Sequence, residues 1–173
     1  PGRIPAGVVC DSLVSAYDFM PTLLDYLGLK PLDMAKRPGV SFVPAFLGQD
    51  FERPGGIVVM DEYGPNRMLR DQRYKYIARY PYGPNALYDL KADPGEQDNL
   101  LAHGGFEALE QELRGRLEKW FAKYVNPEID GAREAVFGSG QIGLAGLWGA
   151  GVSAHSCDDY IKKNPNYALY RVK

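Results

Sequence analysis

The chain has 173 residues, 45% hydrophobic and 24% charged, with a formal net charge of −2. That is enough apolar material for a packed core, and the near-neutral balance leaves no basic footprint for nucleic acid. No apolar run approaches the length of a membrane span, and two cysteines, Cys10 and Cys157, do not make a disulfide framework.

The chain opens at Pro1 without a methionine. That start reads as a point inside a longer protein, so the lack of a leader says nothing about compartment. Pro1–Gly7 is loop chemistry. Val8-Val9 and Leu13-Val14 are short apolar pairs, expected to be strands that complete a sheet lying upstream. Residues 18–27 predict a short helix. Asp18 is the preferred N-cap because it puts Pro21 in the first turn, where a missing N–H costs little. The rival arrangement makes Ser15 the cap with Asp18 as its capping-box partner, and pushes Pro21 deeper. Phe19, Leu23, Leu24 and Leu27 form an apolar stripe, and Gly28 suits the residue just past the helix end. Asp18 as a metal ligand has no partner nearby at ligand spacing.

Residues 29–56 read as loop, with one helical turn in 41–47. Ile57–Met60 is a continuous apolar run, expected to be a strand buried on both faces. Asp61-Glu62-Tyr63 ends it; adjacent acids there are more often a solvated strand end than a metal site. Met68-Leu69-Arg70 is the next strand, turned by Asp71-Gln72-Arg73. Tyr74, Tyr76 and Ala78 alternate with Lys75, Ile77 and Arg79, the period of a half-buried strand. Leu87–Leu90 is a fourth. Asp93-Pro94-Gly95 is a turn in which Gly95 is expected to take the positive φ.

Phe106, Leu109, Leu113, Leu117, Trp120, Phe121 and Tyr124 then fall on one helical stripe, a lid for the sheet. Glu110–Arg114 and Glu112–Arg116 are expected as outward i,i+4 pairs, and Asn126-Pro127 stops the helix. The tail, 128–173, is rich in glycine. Its Gly138–Gly143 stretch formally fits G-x-G-x-x-G, but Gly146, Gly149 and Gly151 leave no helix to follow, so it is no dinucleotide site. His155, Cys157, Asp158 and Asp159 are weak grounds for a metal. The predicted fold is α+β: a small antiparallel sheet of about four strands under a long C-terminal amphipathic helix, with an irregular tail. The expected division is 1–28, 29–127 and 128–173.

Three ordered blocks carry a resemblance. The first is Arg70, Tyr74-Lys75-Tyr76-Ile77, then Leu87-Tyr88-Asp89-Leu90, then Asp93, Pro94, Glu96, Asn99 and Leu100. The second is Val14-Ser15, Asp18, Pro21-Thr22-Leu23-Leu24 and Gly28. The third is Gly39-Val40-Ser41, Pro44 and Leu47-Gly48. Together they resemble the C-terminal subdomain of type I sulfatases, in the alkaline phosphatase superfamily. The resemblance covers about residues 1–125.

It implies a hydrolase of sulfate esters, or a sister enzyme acting on phosphate or phosphonate esters. Such enzymes use a formylglycine made in C/S-x-P/A-x-R and a divalent metal, usually calcium. Neither Cys10 nor Cys157 starts that motif, and no serine does. The resemblance therefore implies no catalytic residue and no metal ligand in this chain, which alone is expected to be inert. It implies an upstream catalytic domain as partner, with Tyr63, Asn66 and Arg67 as substrate-rim residues and Arg67 able to pair with an anionic group. Tyr160, Tyr167, Leu169 and Tyr170 suggest a homo-oligomer contact through the tail. The alternative is a non-catalytic binding or oligomerisation module.

Overall fold

The computed structural model describes residues 2–30, 33–61, 66–80, 84–130 and 132. The glycine-rich motif, the His155–Asp159 cluster, Cys157 and the tail tyrosines lie outside them, as does Tyr63.

Four strands, β1 (Ile57–Met60), β2 (Asn66–Arg70), β3 (Tyr74–Arg79) and β4 (Ala86–Asp89), pair antiparallel in sequence order. The register aligns Val58, Leu69, Tyr76 and Leu87 in one row across the sheet. These four are among the most buried residues of the molecule, at 3%, 1%, 0% and 0% exposure. Helix α3 (Glu107–Tyr124) lies on that face and buries Leu113, Leu117 and Phe121. Period-2 and period-3.6 patterns thus meet in one core, as expected from the alternation in β3 and the stripe in α3.

β1 departs from expectation. It is an edge strand: Val59 and Met60 are about half exposed, at 48% and 51%, and only Val58 is buried. Its unbroken apolar run reflects the lack of a covering layer among the described elements rather than burial on two sides. Tyr17 blunts the open edge: its hydroxyl accepts the Val58 N–H at 3.1 Å, and its ring packs 6.1 Å from Trp120.

The N-terminal helix also differs. α1 runs Phe19–Tyr26, preceded by a 3-10 turn at Ala16–Asp18. Asp18 does not cap α1; its own backbone is helical and its carboxylate reaches back to accept the Ser15 N–H at 2.7 Å. The rival capping box therefore wins. Pro21 sits inside the helix, and the Tyr17 carbonyl that loses a donor faces Gly39. A Cβ on Gly39 would stand 2.2 Å from that oxygen, so only glycine fits. Gly28 ends the helix at φ 65, as expected. The Phe19, Leu23 and Leu27 stripe faces outward, and the buried residue of α1 is Thr22. Val8, Val9 and Val14 are exposed and form no strand. The predicted turn in 41–47 appears as α2 (Val43–Phe46).

Two further local expectations are corrected. The positive φ of the 93–96 turn belongs to Glu96, at 55°, not to Gly95; its carboxylate is held by Lys75 Nζ at 2.6 Å. Glu110 does not pair outward with Arg114. It turns in to accept from Asn85 Nδ2 at 2.9 Å and from the Tyr76 hydroxyl at 3.3 Å, while Arg114 takes Glu118.

Candidate functional site

The expected rim lies at one end of the sheet, where β1 and β3 finish and β2 and β4 begin. Asp61 N–H donates to the Asn66 carbonyl at 3.1 Å, and the Asn66 side-chain amide donates to Asp61 Oδ2 at 2.6 Å. The two residues therefore close this strand end on each other. Asn66 Oδ1 is buried without a hydrogen-bond partner.

Arg67 does not reach outward. It shares a register row with Met60 and Ala78 on the helix side of the sheet and is 5% exposed. Its guanidinium lies 3.8 Å over the Phe121 ring and 5.0 Å from the Tyr80 ring centroid. It forms an ion pair with Asp130, beyond the end of α3. Burial lowers its pKa, and Tyr80 and Asp61 offset part of that. Sequence alone could not suggest Asp130, because the two are far apart in the chain and no local pattern links them.

A second buried ion pair, also invisible in the sequence, ties the N-terminal segment to the sheet. Asp18 is fully buried and pairs with Arg53. It also accepts the Val40 N–H at 3.0 Å, while Arg53 Nε donates to the Gly56 carbonyl at 2.8 Å. Arg53 lies 5.0 Å from the Tyr17 ring centroid. One node thus gathers the 3-10 turn, the 38–40 loop and the approach to β1.

The recurrent sequence blocks resolve into structural roles. Arg73 holds Asp89 through Nε and Nη2 at 2.9 and 2.7 Å, which lowers the Asp89 pKa. Lys75 holds Glu96. Asn99 accepts the Leu87 N–H at 2.9 Å and donates to the Asn85 carbonyl at 3.2 Å, fastening β4 to the turn after it. Thr22 donates to the Asp18 carbonyl at 2.7 Å and accepts the Phe42 N–H at 3.0 Å. Ser41 donates to Asp25. Each group is occupied by a partner within the fold.

The same holds for the larger charges around a 420 Å³ cleft that includes Leu13, Gly55, Asp71 and Arg116. Arg116 pairs with Asp71 at 2.9 Å and with Glu112 at 3.6 Å. Desolvation raises the Asp71 pKa, but backbone N–H groups of Tyr74 and Arg73, with Arg116, outweigh it, so the net shift is downward. Among the described residues, no three His, Cys, Asp or Glu side chains gather at metal-holding distance. Asp18 and Asp89, the buried acids, already accept from cations and backbone N–H groups. These described side chains, already committed to partners, do not fit a divalent metal.

Comparison with known proteins decides the family. Residues 1–123 match the family model described as N-sulphoglucosamine sulphohydrolase, C-terminal. The chain belongs to this family. A Delta 4,5-hexuronate-2-O-sulfatase of Bacteroides thetaiotaomicron is 32% identical over 113 residues, 61% of this chain and 23% of that protein. An ulvan-active sulfatase of Formosa agariphila is 29% identical over 157 residues, 69% of this chain and 31% of that protein. Among solved structures, a 2-O GAG sulfatase superposes with a TM-score of 0.51 at 33% identity, over 61% of this chain and 24% of that one. A putative sulfatase from Bacteroides thetaiotaomicron gives 0.52 at 28% identity, over 74% and 30%. The chain thus spans about a quarter to a third of the length of the relatives it matches. The sulfatase family implies a metal and a formylglycine for its complete members, and what this family portion contributes is a sheet, a lid helix and the clamps between them.

Proposed function

We propose that this chain is the C-terminal portion of a hydrolase of sulfate esters carried on saccharides. It braces an upstream catalytic domain and performs no turnover alone. The observation that carries the reading is the family match over residues 1–123, which is to the C-terminal region of sulfatases. The occupied state of every block residue described above supports it. The saccharide class follows from the relatives, which act on hexuronate 2-O-sulfate, ulvan and N-acetylglucosamine 6-O-sulfate.

The surface expected to meet the upstream domain is the one formed by Val8, Val9, Phe19, Leu23 and Leu27. These large apolar side chains are exposed by 52%, 85%, 64%, 43% and 55%, which marks them as candidates for burial against another surface. We place the metal, proposed to be calcium, and the formylglycine in that upstream domain. We assign Tyr63 and Asn66 to the substrate rim and Arg67 to its support from inside. The test is an assay of the 173-residue chain on aryl sulfate, with calcium or manganese, beside the longer polypeptide that carries C/S-x-P/A-x-R. Hydrolysis by the longer polypeptide and none by the chain is expected. Turnover by the chain alone overturns the reading.

A further inference from the structure

We infer that Arg67 is a positioning residue: through Asp130 it couples the sheet end at Asp61, Asn66 and Tyr80 to the segment that leaves α3. The coupling itself stands on described geometry, and only its catalytic consequence rests on the function proposed above.

The argument starts from the cost of an isolated charge. Arg67 and Asp130 side chains are 5% and 16% exposed, so each is largely removed from water. Removing one partner of such a pair leaves a charge with little hydration, which is far more costly than leaving both exposed. Asp130 is the carboxylate ion-paired with the buried guanidinium, and Asp61 adds a second favourable charge from the strand end. The stem of Arg67 belongs to β2 directly beside Asn66, and its guanidinium lies 5.0 Å from the ring centroid of Tyr80, the residue after β3 ends. Asn66 and Arg79 are register partners. A displacement of Arg67 is thus felt at the start of β2 and at the end of β3 together.

Asp130 is not part of α3. It follows the 3-10 turn Pro127–Ile129, whose cap is Asn126, and its backbone is extended at φ −75, ψ 107. Its carboxylate also accepts the Ala132 N–H at 3.0 Å. The counter-ion is therefore carried by the segment beyond the helix and tied there to Ala132. The helix proper grips the same sheet end elsewhere, through Glu110 with Asn85 and Tyr76. Two attachments follow: one from the body of α3, through Glu110 and the Phe121 ring under Arg67, and one from Asp130 beyond the helix. Loss of the Asp130 carboxylate is therefore expected to loosen the start of β2, where Asn66 lies, more than the core row.

Hydrogen exchange on the 173-residue chain reads this directly. Asp130→Asn is expected to speed exchange of the Asp61 amide, which donates to Asn66, by at least about tenfold. The amides of Leu69 and Tyr76 are expected to keep their rates. Asp130→Glu restores the carboxylate and the slow exchange. No change at Asp61, or an equal increase at all three amides, overturns the coupling, since a pair that merely stabilises the fold acts on all of them. In the longer polypeptide, Asp130→Asn is expected to raise KM for a sulfated saccharide several-fold and leave kcat within about twofold. An equal loss in kcat overturns the positioning role. If that polypeptide hydrolyses no sulfate ester, the proposed function fails while the exchange result still judges the coupling.

Discussion

Replacing Arg53 by methionine isolates the buried Asp18 and measures what the node is worth. Arg53 and Asp18 side chains are 4% and 0% exposed. Methionine keeps the stem's volume but removes the cation, so the carboxylate retains only the Ser15 and Val40 N–H donors at 2.7 and 3.0 Å. Breaking a buried pair in this way costs about 3–5 kcal/mol. The two surviving donors place this case near 3. The lost Arg53 bond to Gly56 O adds about 1 kcal/mol, and the contact over Tyr17 about 0.5 more. The expected total is about 4–5 kcal/mol, read as a lower urea midpoint at unchanged slope. Asp18→Asn in the same background is expected to recover part of the loss, because the stranded charge is gone, giving a coupling energy of about 2 kcal/mol. A loss under about 1 kcal/mol for Arg53→Met refutes the reasoning, since an unpaired buried carboxylate cannot be that cheap.

Leu117 is fully buried beneath the sheet, so Leu117→Ala is expected to cost about 3–4 kcal/mol by urea titration; a cost below about 1 means that α3 is not the lid. Tyr76 gives the pH dependence. Burial, with Glu110 nearby, raises its pKa well above the ordinary phenol value of about 10. The folded state thus holds this proton more firmly than the unfolded chain does. Its contribution is complete below about pH 10 and is lost as pH rises further toward the folded value. Tyr76→Phe is expected to flatten the alkaline fall in stability, and superimposable curves for the two proteins refute the assignment.

The parts of this fold that follow local rules were legible in the sequence. β3 alternates residue by residue, Asp71 accepts the Arg73 and Tyr74 N–H groups within its own turn, and Asn126-Pro127 marks the end of α3. What escaped depends on partners distant in the chain. Asp18 has the sequence of an N-cap; its carboxylate instead accepts from Ser15, the local alternative, and from the distant Arg53 and Val40, which no local pattern announces. Glu110 has the spacing of an exposed pair, yet Asn85 and Tyr76 draw it in. Ile57–Met60 lacks alternation, a pattern that a doubly buried strand and an apolar edge strand share. At the rim, the strand was legible only from Met68, so the start of β2 at Asn66 was missed, and the inward turn of Arg67 depends on Phe121 and Asp130.

The central claim is that the family motif residues in this portion carry structure and not chemistry. Steady-state kinetics of Asn99→Ala in the longer polypeptide tests it most directly, because Asn99 links Leu87, Asn85 and Leu101 and belongs to the recurrent block. The account predicts a Tm lower by several degrees, as expected for about 1–2 kcal/mol of lost hydrogen bonding, with kcat per folded molecule unchanged. A kcat lowered by three orders of magnitude or more at an unchanged Tm contradicts it.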